Sequence, residues 1–215
     1  MCIRDRCQLG NLVITAPAPL RESLNSRKSL GGKATVCAQF RVPRTPTHDP
    51  SRAAKIALRS VARRIAELSA EIAALDDELD HLVTIAAPAT LERLGVGSCH
   101  AATLLIATGE NISRLHSEAA FAHMCAAAPI PASSGKTSRH RLNHAGNRQA
   151  NRALHMIVIV RLRYCPETRA YMQRRQAEGR TKKEIIRCLK RFVARDLYRA
   201  LRSDLATLET RLDGL

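Results

Sequence analysis

Between Leu58 and Leu82 the apolar residues Leu58, Val61, Ile65, Leu68, Ile72, Leu75, Leu79 and Leu82 follow one another in alternating steps of three and four without a break. Such spacing keeps one narrow stripe on one side of a helix. Leu58, Ile65, Ile72 and Leu79 take its a-type positions and Val61, Leu68, Leu75 and Leu82 its d-type positions. A strand cannot carry this pattern, because its side chains alternate with a period of two. The stripe must be covered by another helix. Glu67, Glu71, Asp76, Asp77, Glu78 and Asp80 surround it, which suits a projecting coiled coil and self-association into a homo-oligomer. Packing of the stripe against the same chain is the alternative.

The remaining punctuation is also helical, and strands are nearly absent from the pattern. Pro88 suits the first turn of a helix, and Leu94-Gly95-Val96-Gly97 then leads to an apolar run from Ala101 to Ala107. The arrangement resembles a helix-hairpin-helix, whose glycines let backbone N–H groups approach a DNA phosphate. Gly95 and Gly97 are therefore candidate DNA contacts, with a plain helix–helix turn as the alternative. Ser117-Glu118 can cap a short helix, Asn147 to Tyr164 reads as a mostly buried one, and Pro166 opens another that Gly179 ends. Thr181 and Glu184 form a capping box before Ile185, Ile186, Leu189, Phe192, Val193, Leu197 and Leu201. By contrast, Gly31-Gly32 and Pro43, Pro46 and Pro50 interrupt residues 1–50, where periodicity is poor. The expected fold is all-α: a poorly ordered remnant or linker over 1–50, a long coiled-coil helix over 51–86, a compact multi-helix domain over 87–203 and a tail over 204–215.

Charge narrows the partners. The chain has a net charge of +16, and residues 136–202 hold 19 Lys and Arg against 4 Asp and Glu. Between Pro129 and Met156 there is no acidic residue at all, so the field of Lys136, Arg139, Arg141, Arg148 and Arg152 is not neutralised locally and suits a polyanion. Farther on, Arg187, Arg191, Arg195 and Arg199 lie four apart on one helix face. Like charges at that spacing cost a few tenths of a kcal/mol per pair, and Asp196 relieves only part of it. These cations, with Arg187, Arg191 and Arg195 foremost in the last helix, are candidate phosphate contacts. With three Phe, three Tyr and no Trp, the chain lacks the aromatic platforms that bind single strands and favours backbone contacts to a duplex.

Seven cysteines, Cys2, Cys7, Cys37, Cys99, Cys125, Cys165 and Cys188, form no Cys-x-x-Cys pair and have no regular His partner. Neither a zinc site nor a disulfide framework is indicated, and a cytoplasmic location is expected. No apolar run approaches the ~20 residues that span a bilayer, so no membrane partner is expected.

The remaining signal is Ser133-Ser134-Gly135-Lys136-Thr137, approached through Pro129 and Pro131. The prolines make the approach extended, and Gly135 permits a sharp turn. A phosphate-binding P-loop would need a glycine where Ile130 stands and a helix starting at the lysine, so ATP binding is excluded. A serine hydroxyl amid cations can instead attack a phosphodiester if a base or metal takes its proton. His140 and His144 are near enough in sequence to serve as base, though a loop histidine is more often surface decoration.

Pro129, Ser134, Gly135, Lys136 and Arg141, followed by Gly146, Asn147, Arg148, Asn151, Arg152, Ala153 and Leu154, resemble the C-terminal part of insertion-sequence transposases of the 110/116/902 group. The likeness extends over roughly Ser51 to Arg202, about seven tenths of the chain. It implies a recombinase-like protein acting in DNA transposition, with Ser134 as the nucleophilic serine and DNA as partner. For those members that are RNA-guided it also implies a structured guide RNA. The family's N-terminal RuvC-like domain carries four metal-binding acidic residues, which this sequence lacks. The resemblance therefore places Mg²⁺ in that domain and no cofactor in this chain, which alone is expected to bind DNA without cleaving it. Asn11 to Glu22 faintly resembles the end of that domain, and Met1-Cys2-Ile3-Arg4-Asp5-Arg6 looks like translated adaptor sequence, so a truncated reading frame is expected. The alternative function is a non-catalytic dimeric DNA- or RNA-binding module.

Overall fold

The computed structural model describes residues 3–42, 48–109, 116–133, 135–136 and 140–212. Among them are ten helices and one pair of two-residue strands, so the all-α expectation holds. The chain divides into two compact units, residues 1–77 and 78–215.

In the first unit, residues expected to lack regular structure form three helices, α1 (Ile3–Thr15), α2 (Ala18–Asn25) and α3 (Leu30–Ala38). Pro17 and Ser29 precede the second and third, Ser29 caps α3 by accepting from Gly32 N at 3.0 Å, and Gly31 and Gly32, read as an interruption, lie inside that helix. Leu9, Val13, Leu20, Leu24 and Cys37 are buried against Leu58, Val61 and Ile65 of α4 (Pro50–Ala86). Each such burial stabilises by about 1.5–3 kcal/mol. Arg64 of α4 pairs with the buried Asp5 and donates to Gln8 Oε1 at 3.0 Å. Burial pushes the Cys37 thiol up to about 11.

The heptad stripe thus divides along its length. Leu58, Val61 and Ile65 are consumed by packing within the chain, whereas Ile72, Leu75 and Leu82 stay 42%, 62% and 53% exposed. The long helix is present as expected, and it buries only the first part of its stripe.

The second unit is built around α8 (Arg148–Tyr164), whose Ala150, Leu154, Ile157 and Val158 are buried. They pack with Leu104 of α6 (Ser98–Thr108), Phe121 of α7 (Glu118–Met124) and Ile185, Val193, Leu197 and Leu201 of α10 (Lys182–Leu212). Helix α9 (Pro166–Ala177) adds Met172. The Thr181–Glu184 box forms as expected, with Glu184 Oε2 accepting from Thr181 N at 2.9 Å and Oγ1 at 2.8 Å. The segment 204–215, expected as a tail, instead continues α10 to Leu212. Its buried Asp204 accepts from Ala89 N and Thr90 N, both at 2.9 Å, and from Thr90 Oγ1 at 2.6 Å. Those donors belong to the first turn of α5 (Pro88–Leu91), which has no cap of its own. Among the described residues no helix is long and apolar enough to cross a membrane.

The loop between α7 and α8 is a short hairpin, β1 (Ile130–Pro131) against β2 (His140–Arg141), paired Ile130↔Arg141 and Pro131↔His140. A clasp closes its base. Asn147 N donates to Met124 O at 2.7 Å, and Asn143 Nδ2 to His123 O at 3.0 Å. Asn151 Nδ2 reaches Cys125 O at 2.8 Å and Ala126 O at 3.1 Å. Ala126 turns the chain here with a φ of +51°. Gly146 lies against that turn so closely that a Cβ would stand 2.5 Å from Ala126 N and 2.8 Å from Met124 O. Both obstacles are backbone and cannot move aside. Gly146→Ala should therefore destabilise the second unit by about 2–3 kcal/mol. Hydrogen exchange is the check: the Asn147 amide, protected in the parent, should exchange at least tenfold faster in the variant.

Candidate nucleic-acid interface

The clasped hairpin, the start of α8, α9 and the first half of α10 enclose a groove of about 940 Å³. Each wall is basic. The hairpin and α8 contribute Arg141 and Arg148; α9 and the turn after it contribute Arg175 and Arg180; α10 contributes Arg187, Lys190, Arg191 and Arg195. Among the described residues Glu184 is the single carboxylate on the lining, and its Oε2 is committed to the Thr181 cap.

How the cations are held decides what they offer. Arg141, Arg148, Arg180 and Arg187 make no ion pair with a carboxylate among the described residues. Arg175 pairs with Glu178. Arg191 and Arg195 both reach Glu118 Oε1 on α7, at 2.6 and 3.1 Å. The repulsion foreseen along α10 is therefore relieved chiefly by Glu118. Asp196 turns elsewhere and binds Arg161 at 2.6 Å and Arg93 at 3.6 Å. The hydrogen bond from Arg195, then the contact with Arg191, hold the Glu118 carboxyl below its usual range.

Lys190 sits on the floor of the groove. Its Nζ donates to Asn151 Oδ1 at 2.9 Å, which ties α10 to the same amide that holds the Cys125 and Ala126 carbonyls. Burial, and secondarily the neighbouring Arg187, lower the pKa of this ammonium. An anion entering the groove would restore favourable surroundings for its charge. Tyr171 and Phe192 meet edge to face at 5.6 Å on the lining, with the Arg195 guanidinium 6.0 Å from the Phe192 ring.

The residues expected to contact DNA are thus partly gathered. Arg141, Arg148, Arg187, Arg191 and Arg195 line one groove. Lys136 is exposed at the hairpin tip, and Arg152 is exposed on α8 outside the groove lining. Ser134 and Arg139 lie outside the described residues. Gly95 and Gly97 lie away from the groove, in the turn between α5 and α6. Gly95, at φ +84°, brings this turn against α8, where a Cβ would meet Ile157 O at 3.2 Å, and Arg161 Nε donates to Leu94 O at 2.7 Å. The turn therefore has a packing reason of its own. Gly97 precedes α6 with open space around it. Sequence reasoning left out Arg175, Arg180, Lys190 and the restraining Glu118. Arg180 and Lys190 stood in the basic run, while nothing local marks Glu118 as the neighbour of Arg191 and Arg195. Among the described residues no group of three or more His, Cys, Asp and Glu is placed to hold a metal ion.

No curated protein matches the chain. The family model described as Transposase IS116/IS110/IS902 family matches residues 91–173. That span begins at the end of α5 and runs through the Gly95 turn, the clasped hairpin and α8 into α9. Within the second unit, residues 91–173 are therefore similar to transposases of the IS116/IS110/IS902 group.

Proposed function

We propose that the basic groove binds the phosphate backbone of DNA beside the hairpin, and that this unit is the serine-bearing part of a DNA transposase. The observation that carries the reading is the set Arg141, Arg148, Arg180 and Arg187, which face one groove and close no ion pair among the described residues, Glu184 acting on Arg180 and Arg187 only at longer range. Four such guanidiniums repel one another, and a row of phosphates removes that cost while releasing condensed counterions. Contacts of this kind position a duplex without reading its sequence.

Ser134 is the proposed nucleophile, on the strength of the family resemblance. Its oxygen would bond to phosphorus as a sugar oxygen leaves, giving a covalent serine–phosphodiester and a free DNA hydroxyl. The cations stabilise the developing negative charge. The described residues do not fit the Mg²⁺ site of the family, and no step is assigned to it. A structured guide RNA, where one is used, has the same backbone chemistry as a ligand. The exposed Ile72, Leu75 and Leu82 support self-association through the second half of α4.

Three outcomes test this reading. Arg148→Gln and Arg187→Gln should each weaken duplex binding several-fold, equally for two unrelated sequences, and flatten the log–log salt slope by about 0.9, read by fluorescence anisotropy. Unchanged slopes would remove the groove from the interface. Ser134→Ala should bind duplex as the parent does, yet yield no covalent adduct on a denaturing gel when placed in a complete transposase bearing this unit. An adduct that survives the substitution would assign the nucleophile elsewhere, and absence of any adduct with the parent serine would favour a non-catalytic binding module. Leu75→Asp should sediment as a monomer at concentrations where the parent is oligomeric; a monomeric parent would refute association through α4.

A further inference from the structure

Of the groove's cations, Arg191 and Arg195 alone share a carboxylate supplied by a different helix. Glu118 stands at the first position of α7, behind the Ser117 cap, and its Oε1 lies between the two guanidiniums at 2.6 and 3.1 Å. The oxygen occupies the place that one phosphate oxygen would take between two arginines one helical turn apart. Glu118 is not itself part of the groove lining, whereas both of its partners are. It is partly exposed, at 28% of its side-chain surface, and Arg195 at 52%, so the pair can open without unpacking the core.

We propose that Glu118 is a specificity-determining residue: an internal carboxylate that occupies Arg191 and Arg195 until a continuous phosphate track displaces it. The inference rests on the reading of the groove as a DNA-backbone site. Because Glu118 is tethered, its effective concentration at the two arginines lies in the mM range or above. A free phosphate ion must compete with that concentration alone. A duplex already held by Arg148 and Arg187 presents its next phosphates to Arg191 and Arg195 intramolecularly, on equal terms with the carboxylate. Displacement leaves Glu118 charged and in need of a counterion, which offsets part of the counterion release that drives binding. The consequence is discrimination by length and continuity of charge. Isolated anions and short oligonucleotides meet an occupied pair, and a long duplex meets an available one.

The test uses the full chain with a fluorescent 20-base-pair duplex, inorganic phosphate as competitor, and the variants Glu118→Gln, Arg191→Gln/Arg195→Gln, and the three combined. Circular dichroism confirms that each is folded. Glu118→Gln should bind the duplex roughly three- to tenfold tighter at moderate salt, with a salt slope steeper by up to about 0.9, and inorganic phosphate should displace the duplex from it at lower concentration than from the parent. The gain should vanish in the Arg191→Gln/Arg195→Gln background. Equal or weaker binding by folded Glu118→Gln would make Glu118 a positioning residue for the arginines and overturn the proposal. The same gain in the arginine-free background would also overturn it, by reducing the effect to net charge. Failure of parent and variants alike to bind duplex at low salt would instead refute the groove as a DNA site, and the inference with it.

Discussion

The second unit depends on the close approach of Gly146 to the turn at Ala126. Without a side chain at that point the chain entering the hairpin and the chain leaving it lie backbone to backbone, and the Met124 carbonyl and the Asn147 amide come within hydrogen-bonding reach. Asn151 then serves both sides, its amide nitrogen holding two carbonyls of the turn and its oxygen holding Lys190. A hairpin of two paired residues per strand has little stability of its own. Its placement over the groove is set by this clasp, which in turn is anchored to α8 and α10, the most buried helices of the unit.

The same geometry accounts for the electrostatics. Helices α8, α9 and α10 converge, so cations far apart in sequence face a common space, and the carboxylates are spent at its edges. Asp196 steadies Arg161 and Arg93 behind the groove, Glu184 caps α10, Glu178 holds Arg175, and Glu118 holds Arg191 and Arg195. What is left over is a strip of positive charge with one partly buried lysine at its base. Such a field is laid out for a linear polyanion in preference to a compact one.

The starts of α7 to α10 were legible because each has a local chemical marker: Ser117 before α7, Asn147 before α8, Pro166 at the start of α9 and Thr181 with Glu184 at α10. The long helix was legible from its spacing. Residues 1–50 were not, because α1 to α3 are short, and their buried positions Leu9, Val13, Leu20, Leu24 and Cys37 complete a stripe only when α4 supplies Leu58, Val61 and Ile65. The groove was half legible. A run without acids announced Arg141 and Arg148, but the neutralisation of Arg191 and Arg195 comes from Glu118, 77 positions before Arg195. Local pattern carries no record of a pairing at that distance.

Asp204 carries a consequence for how the unit comes into being. The carboxylate that satisfies the opening amides of α5 stands 115 residues after Ala89. During synthesis those amides stay in water until the last helix has emerged. Closing so long a loop is entropically demanding, and the gain arrives only once α10 docks. The order of assembly therefore runs against the order of the chain. The opening turn of α5 is secured by the last helix of the unit, so its amides find their partner only after α10 has been made.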